Sequence, residues 1–401
     1  MPRRAALAAL CLLASAPLGA QTTSPSSPSA APAPPTGKPL ANVPIGPDYQ
    51  PQDKDERGLW MTVAEDERLL QQSNFVIRDP ALNAYVRGVF CRMVGDAQCA
   101  AVRIYLVRTT EFNASMAPNG MMIVNTGLLV RLQDEAQLAE ILGHEYTHYR
   151  YRHVLQGFRE ARARSTEAVW LSFIPVIGTL AALGSYGQYF QFSRTMEAQA
   201  DSESVPLMVN AGYDPQRAWR IWEQIRDEQD ATALARQRKS RKDKDRSIWA
   251  SHPPTAERLA ALKGLADKAV VAGATDGRDR YRAALSNWWP QFIDDEIKRN
   301  DFGSTEFLLG MLARDGWTPA LLYARGELYR ARARPDDLKA AIGFYQQAIA
   351  APAAPPEARR GLGLALLRSG APSEGKAALR DYLTARPDAS DKAMLAALAT
   401  D

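Results

Sequence analysis

The sequence has little net charge, and it has few histidines and cysteines. Lysine and arginine exceed aspartate and glutamate by only four in 401 residues. Two of the arginines, Arg3 and Arg4, lie in a segment that we expect to be removed, so the mature chain has a net charge near +2 (4 − 2). That balance gives no reason to expect nucleic acid as a partner. With only four histidines in the chain, a motif that uses two of them is hard to attribute to chance.

Cysteine is also scarce, at three residues, and one of them is Cys11 near the N-terminus. Removal of that segment leaves one pair, Cys91 and Cys99. In an oxidising compartment we expect a disulfide between them. Its short loop predicts a stabilisation of about 2 kcal/mol. Two buried free thiols are the alternative.

The N-terminal residues predict export. Arg3 and Arg4 precede a run of alanine and leucine that ends in Leu18-Gly19-Ala20, which is typical of a secretory signal peptide over residues 1–20. Residues 21–55 are rich in proline, serine and alanine, which predicts a disordered linker. We therefore expect a periplasmic protein whose folded part begins near residue 56.

The segment His144-Glu145-Tyr146-Thr147-His148 follows the pattern HExxH. On a helix, residues four apart point the same way, so the two imidazoles can chelate one zinc ion per chain. Glu145 can then reach a metal-bound water as general base. The acids of Gln133-Asp134-Glu135 are typical of the start of such a helix. Apolar residues follow at helical spacing from there through the motif.

A third ligand is expected downstream. Glu197 and Asp201 are one helical turn apart, about fifty residues after the motif. Glu197 is the candidate ligand, and Asp201 is placed to hydrogen-bond the outer nitrogen of a ligand histidine. His153 follows His148 by five residues, which turns it roughly 140° away on a helix that we expect to continue to about Arg164. We therefore expect His153 to contact a ligand from behind or to lie at the surface.

The fourth histidine, His252, precedes Pro253-Pro254 in a predicted loop before a helix. It is either an ordinary loop residue or one that reaches the zinc, where it stabilises an oxyanion or occupies the open coordination position. The basic stretch 236–242 lies upstream of it. That stretch is either a plain exposed loop or a lid that controls the position of His252.

Together these motifs resemble those of the HtpX and CaaX-prenyl-protease group of gluzincin metallopeptidases. The matching segments are His144 to His148, Glu197 to Asp201, His252 to Pro254 and the stretch from Asn113 to Leu129. The resemblance extends over about residues 60–265 and is nearest to the periplasmic BepA-like branch. It implies zinc on His144, His148 and Glu197, with Glu145 as catalytic base and Asp201 as second acid or proton donor. Gln199 departs from the usual block, at a position that we do not expect to touch the ligands.

The segment before the zinc helix is expected to form strands. Residues 101–107 alternate, and residues 121–124 are apolar after the turn at Asn119-Gly120. In the group that the chain resembles, an edge strand beside the metal holds the substrate backbone. An ordinary hairpin packed under the helix is the alternative. The candidate substrate-binding residues are Met116, Gly120, Met121, Met122 and Ile123.

Residues 168–192 contain no charged side chain and are long enough to span a bilayer. Glu197 must nevertheless return to the metal soon afterwards. We therefore expect a helical hairpin, either buried or in contact with a membrane surface. A spanning anchor, which would make the chain an integral membrane protease, is the less favoured alternative.

The tail from residue 278 contains an internal repeat. Ala324-Arg325-Gly326, Ala340-Ala341 and Tyr345 match Leu362-Gly363, Ala377-Ala378 and Tyr382 at a constant offset. Stacked helix pairs with such spacing resemble tetratricopeptide repeats, and a plain helical bundle is the alternative. We expect a mainly α (α+β) fold, with a peptidase domain over 56–270 and a helical repeat domain over 278–401.

The function expected from these features is a zinc endopeptidase that degrades misfolded or stalled outer-membrane proteins. The resemblance also implies that the repeat domain contacts the outer-membrane assembly machinery. A chaperone or interaction protein with a latent peptidase is the alternative.

Overall fold

The described part of the chain is mostly helical and contains one small β-sheet, which confirms the predicted fold class. A computed structural model describes residues 49–164, 192–240, 252, 255–269 and 271–400. The predicted signal peptide 1–20, most of the linker 21–55 and most of the uncharged segment 168–192 lie outside the described residues. Among the described helices, none combines the length and apolar character that a membrane crossing needs.

From residue 49 onward, three helices precede the sheet: α1 (Lys54–Gln72), α2 (Pro80–Val94) and α3 (Asp96–Ala100). Asp79 caps α2 by accepting a hydrogen bond from the backbone N–H of Leu82, and Pro80 fits the first turn. Residues 49–55 of the predicted linker are described, and Tyr49 is buried with its hydroxyl donating to Glu56 at 2.9 Å. The prediction of a disordered linker therefore does not hold for residues 49–55.

The sheet consists of β1 (Arg103–Val107), β2 (Ala114–Met116) and β3 (Met121–Asn125), in the order β1-β3-β2. β3 pairs in parallel with β1 and antiparallel with β2. All five residues of β3 are buried, as expected for a central strand covered on both faces. On the outer side of β1, Val107 forms a bridge with Val76, so the chain covers part of that edge.

The zinc-motif helix lies at the centre of the core. After the short helix α4 (Thr126–Leu129), α5 (Glu135–Arg150) begins with Asp134 as its cap, in agreement with the sequence prediction. Every residue from Glu135 to Tyr149 is buried. The helix packs against α2 and β2. It also packs against α7 (Arg194–Asn210) and α8 (Gln216–Ala235), which follow α6 (His153–Arg164) in the chain.

The prediction that one helix continues to Arg164 is wrong. α5 ends at Arg150, Arg152 adopts a positive φ of 55°, and α6 starts at His153. The left-handed residue changes the direction of the chain. The predicted angle of roughly 140° between His148 and His153 assumed one continuous helix, so it does not apply.

The remaining helices are α9 (Ala256–Lys268), α10 (Arg278–Leu285), α11 (Trp289–Lys298), α12 (Phe302–Leu312), α13 (Pro319–Arg332), α14 (Asp337–Ala350), α15 (Glu357–Arg368), α16 (Pro372–Ala385) and α17 (Lys392–Ala399). α10, α11 and α12 contribute Tyr281, Phe292 and Leu308 to the same apolar core as α5. Arg131, fully buried, binds Glu228 and Glu296 at 2.8 Å each. The boundary at 278 remains a prediction.

Two helical hairpins follow, α13 with α14 and α15 with α16. The glycines of the predicted repeat lie at their contacts. A Cβ at Gly326 would collide with the ring of Tyr345, and one at Gly363 would collide with Leu379. Glycine at these positions therefore permits the close approach of paired helices, while their tetratricopeptide character remains a prediction.

Candidate metal centre

The two histidines of the motif present the same ring nitrogen to one point. His144 and His148 are fully buried one turn apart on α5, with their Nε2 atoms 3.1 Å apart. The ring of Phe192, which the sequence analysis did not single out, stacks on His148 with centroids 3.9 Å apart. A pair with this geometry can share one cation.

Glu197 comes to this point from a different helix. Ser193 caps α7, which packs along α5 and places Glu197 in its first turn. The carboxylate lies 3.5 Å from His144 Nε2 and 3.6 Å from His148 Nε2. The structure thus brings together the three predicted ligands.

His252 completes the group. Its Nδ1 lies 2.8 Å from Glu197 Oε1 and 3.2 Å from His144 Nε2, and the side chain is buried. The ligand atoms of His144, His148, Glu197 and His252 all lie within 4.8 Å of one another. Three imidazoles and one carboxylate are ligand types that zinc accepts.

The charges around the site favour a cation there. Burial and Arg258 act to lower the pKa of His144, but Asp201 and Glu197 outweigh them and raise it to about 10. Burial and the neighbouring His144 lower the pKa of His148 well below its ordinary value. The site therefore stabilises positive charge while keeping one imidazole neutral, and the residues fit a divalent ion.

Glu145 lies beside His252 in this group. Its Oε1 is 3.4 Å from His252 Nε2, and the side chain is buried. Burial raises its pKa, against the opposing effect of His252. A carboxylate with a raised pKa is a better proton acceptor at neutral pH than an ordinary glutamate.

Asp201 lies behind His144. Its Oδ1 is 3.0 Å from His144 Nδ1, and both of its oxygens accept hydrogen bonds from Arg258, at 2.7 and 2.8 Å. Burial alone would raise the pKa of Asp201, but Arg258 and His144 keep it below its usual value. This geometry favours the hydrogen-bonding role predicted for Asp201 over the role of proton donor.

Arg258 was not singled out by the sequence analysis. It is buried, its guanidinium lies 3.1 Å from Glu197 Oε2, and its Cζ lies 4.0 Å from the centroid of the Trp222 ring. One signal was present in the sequence. Arg258 stands in the first turn of α9, where the helix dipole disfavours a cation, so a specific partner was to be expected.

Glu140 was also not singled out. It is fully buried one turn before His144 and close to both His144 and Asp201. Burial and the charge of Asp201 raise its pKa to about 7. Its position one turn before His144 follows from the helical spacing, but no local pattern distinguished it from a surface acid.

His153 is not at the surface. It is fully buried, with its Nδ1 2.8 Å from His148 Nδ1 and its Nε2 3.1 Å from Gln199 Oε1. Of the two expectations, contact with a ligand from behind is the one that the structure supports. Gln199 contacts His153, and His153 contacts the ligand His148. This indirect link was not predicted from the sequence.

The predicted substrate strand needs a correction. Met121, Met122 and Ile123 belong to β3, whose backbone pairs on both sides, so they cannot hold a substrate backbone. Met116 lies on β2, which is at the edge of the three-stranded sheet and packs against α5. Gly120 lies in the turn before β3, where its positive φ of 87° and the nearby Ala101 carbonyl require glycine.

The two cysteines are joined. Cys91 at the end of α2 and Cys99 in α3 form a disulfide with their Cα atoms 5.0 Å apart. Cys91 packs against the core and Cys99 is buried in it. The disulfide therefore ties α3 to α2.

The sequence of this chain is similar to those of known peptidases. A family model described as Peptidase family M48 matches residues 80–266. The beta-barrel assembly-enhancing protease of Escherichia coli K12 is 25% identical over 233 residues, which are 54% of this chain and 45% of that protein. The putative beta-barrel assembly-enhancing protease of Vibrio cholerae is 25% identical over 175 residues, 40% of this chain and 36% of that protein.

Similarity extends to mitochondrial proteins. The mitochondrial metalloendopeptidase OMA1 of Schizosaccharomyces pombe is 31% identical over 146 residues, 35% of this chain and 43% of that protein. In each of these three comparisons, the match spans less than half the length of the relative.

Proposed function

Residues 80–266 of this chain are a domain of peptidase family M48, and on that premise we propose that the protein is a zinc-dependent endopeptidase. The family expected from the motifs is thereby confirmed for this part of the chain. Peptidases of this family use zinc. The observation that carries the proposal is the convergence of His144, His148 and Glu197 beside Glu145.

His144 and His148 would hold zinc through Nε2 and Glu197 through its carboxylate. Bound zinc polarises a carbonyl and lowers the pKa of water. The contribution of the protein is to fix these side chains on two packed helices, α5 and α7, with their outer atoms held by other buried groups.

Glu145 serves as the general base. Its carboxylate accepts a proton from the attacking water and delivers it to the leaving amine, so that the peptide bond breaks and one water molecule is consumed. Burial supports this role because it raises the pKa of Glu145, which makes the carboxylate a better proton acceptor.

Asp201 orients His144. It accepts a hydrogen bond from His144 Nδ1, which leaves Nε2 free to bind metal. Arg258 holds Asp201 in place with two hydrogen bonds and offsets the charge of the two buried carboxylates.

His252 regulates access to the site in this proposal. Its Nδ1 lies within the ligand group, so it competes with water or substrate for the open position. Movement of His252 away from that position would open the site. The predicted lid over residues 236–242 lies partly outside the described residues, and its role rests on the sequence alone.

The proposed substrates are polypeptides, and among them misfolded or stalled envelope proteins. The names of two relatives link those proteins to beta-barrel assembly. The predicted signal peptide supports a periplasmic location, and the two helical hairpins of 278–401 support contact with the outer-membrane assembly machinery. Contact of residues 168–192 with a membrane surface also remains a proposal.

One observation favours a second candidate, an interaction protein with a latent peptidase. With His252 inside the ligand group, the coordination position that hydrolysis requires is contested. In that case the helical region beyond residue 278 carries the function and cleavage is occasional.

Metal analysis combined with casein cleavage tests the proposal. We expect one zinc per chain, cleavage by the wild type and faster cleavage by His252→Ala. Glu145→Gln should keep its zinc and lose at least about a hundredfold in rate, because it lacks the general base. Glu203→Gln, on the same helix as Glu197 but away from the ligand group, is the matched control.

Equal cleavage by wild type and Glu145→Gln would refute the catalytic assignment. If neither wild type nor His252→Ala cleaves casein although both bind zinc, the second candidate is favoured.

A further inference from the structure

The two ligand histidines differ in what holds their outer ring nitrogen. His144 Nδ1 faces the carboxylate of Asp201 at 3.0 Å, whereas His148 Nδ1 faces another imidazole, Nδ1 of His153, at 2.8 Å. Metal-binding histidines usually donate this N–H to a carboxylate, a carbonyl or a water. An imidazole can take that place only if its own protonation is set by a further partner.

The positions of the protons follow from the geometry. His148 Nε2 points at the ligand group, 3.1 Å from His144 Nε2, so it must carry the lone pair for the metal. The proton of His148 is then on Nδ1 and is donated to His153 Nδ1. His153 therefore carries its proton on Nε2, which donates to Gln199 Oε1 at 3.1 Å. One set of neutral tautomers thus satisfies both contacts of His153, with His148 and with Gln199.

We propose that His153 and Gln199 are positioning residues that fix His148 as a zinc ligand through this neutral relay. The inference rests on the proposed function, because it concerns the zinc site. His153 reaches the relay because the chain turns at Arg152, and Gln199 lies on α7, the helix that also carries Glu197. The relay thus joins the helix after the motif to the helix that carries the third ligand.

The relay ends on an amide, which has a physical consequence. Asp201 places a negative charge behind His144, whereas Gln199 fixes the orientation of His148 through His153 without adding charge. The amide is an acceptor at any pH at which the protein is folded. A carboxylate at position 199 would be a stronger acceptor and would make His148 a more basic ligand.

Zinc affinity, measured by competition with a chromogenic chelator on the full chain, tests the relay. Gln199→Met keeps the size of the side chain and removes the acceptor, so we expect zinc binding to weaken by about tenfold to a hundredfold. His153→Phe should weaken it to the same extent. Gln199→Glu should bind zinc at least as tightly as the wild type. Gln72→Met, on the exposed end of α1, should bind like the wild type.

A spectroscopic signature separates positioning from general structural damage. The chain has only four histidines, so histidine labelled with ¹⁵N gives a spectrum that single variants can assign. In the zinc-loaded wild type we expect His148 to be protonated on Nδ1 and His153 on Nε2. In Gln199→Met, His153 should populate both tautomers.

The inference fails if His153 carries its proton on Nδ1 in the wild type, or if Gln199→Met binds zinc as tightly as the wild type. Should His153→Phe not fold, the pair Gln199→Met and Gln199→Glu decides, since Gln199 is only half-buried. A wild type that binds no zinc refutes the proposed function and the inference together. If the wild type binds zinc and Gln199→Met binds it equally tightly, the inference alone is refuted.

Discussion

The zinc helix and the C-terminal hairpins bury different kinds of residue. In α5 every residue from Glu135 to Tyr149 is buried, including glutamates and both ligand histidines. In α15 only small residues are buried, among them Gly361, Gly363 and Ala365. Burial of polar groups costs free energy unless they form hydrogen bonds or ion pairs, so α5 depends on such specific contacts. The helix α15 depends instead on close packing of small side chains. The two regions should therefore respond to different substitutions.

The largest effect is expected at Arg131, a buried arginine between α4 and α5 that binds carboxylates of α8 and α11. Arg131→Met leaves the carboxylates of Glu228 and Glu296 buried without their cation. We expect a loss of about 3–5 kcal/mol in the free energy of unfolding, measured by denaturant titration. Arg314→Met, at an exposed position, should change it by less than about 1 kcal/mol. A loss of the same small size at Arg131 would mean that this network is not needed for stability.

Removal of metal should separate the two regions. Zinc binds the folded site and stabilises it by about 2.7 kcal/mol when free zinc is a hundred times its Kd. Addition of a chelator should therefore speed amide hydrogen exchange in α5 and α7. Exchange in α15 and α16 should stay the same, because no candidate ligand comes from these helices. Equal acceleration in all four helices would show that the regions do not differ in this respect.

The smallest effect is expected from shape alone. Gly326→Ala adds a methyl group that collides with the ring of Tyr345, which we expect to cost about 1–3 kcal/mol. Gly343→Ala, on the facing helix α14 with open space around it, should stabilise by about 0.5–1 kcal/mol. Thermal unfolding measures both. Zinc affinity should stay unchanged in either variant, and a weakened affinity in Gly326→Ala would contradict the separation of shape from chemistry.

The sequence predicted what depends on local spacing. The helix of His144 and His148 and its acidic start at Asp134 follow from local patterns along the chain. The choice of Glu197 as third ligand rested on its spacing from Asp201 downstream of the motif and on the resemblance to a known family. The mainly α fold with a small sheet followed from the same patterns.

What the sequence could not supply depends on tertiary contacts. The turn at Arg152 has no glycine or proline to mark it, so the position of His153 was predicted on a helix that does not continue. The pairing order of the strands placed residues 121–123 in the centre of the sheet, which alternation alone does not specify. Arg258 acts through partners far away in the chain, Asp201 and Glu197.

The most direct test of the central claim is a crystal structure of the purified protein with anomalous scattering measured at the zinc edge. We expect one strong peak, from an ion bound to Nε2 of His144, Nε2 of His148 and the carboxylate of Glu197. A peak elsewhere in the chain, or a Glu197 carboxylate that turns away from the bound ion, would contradict it.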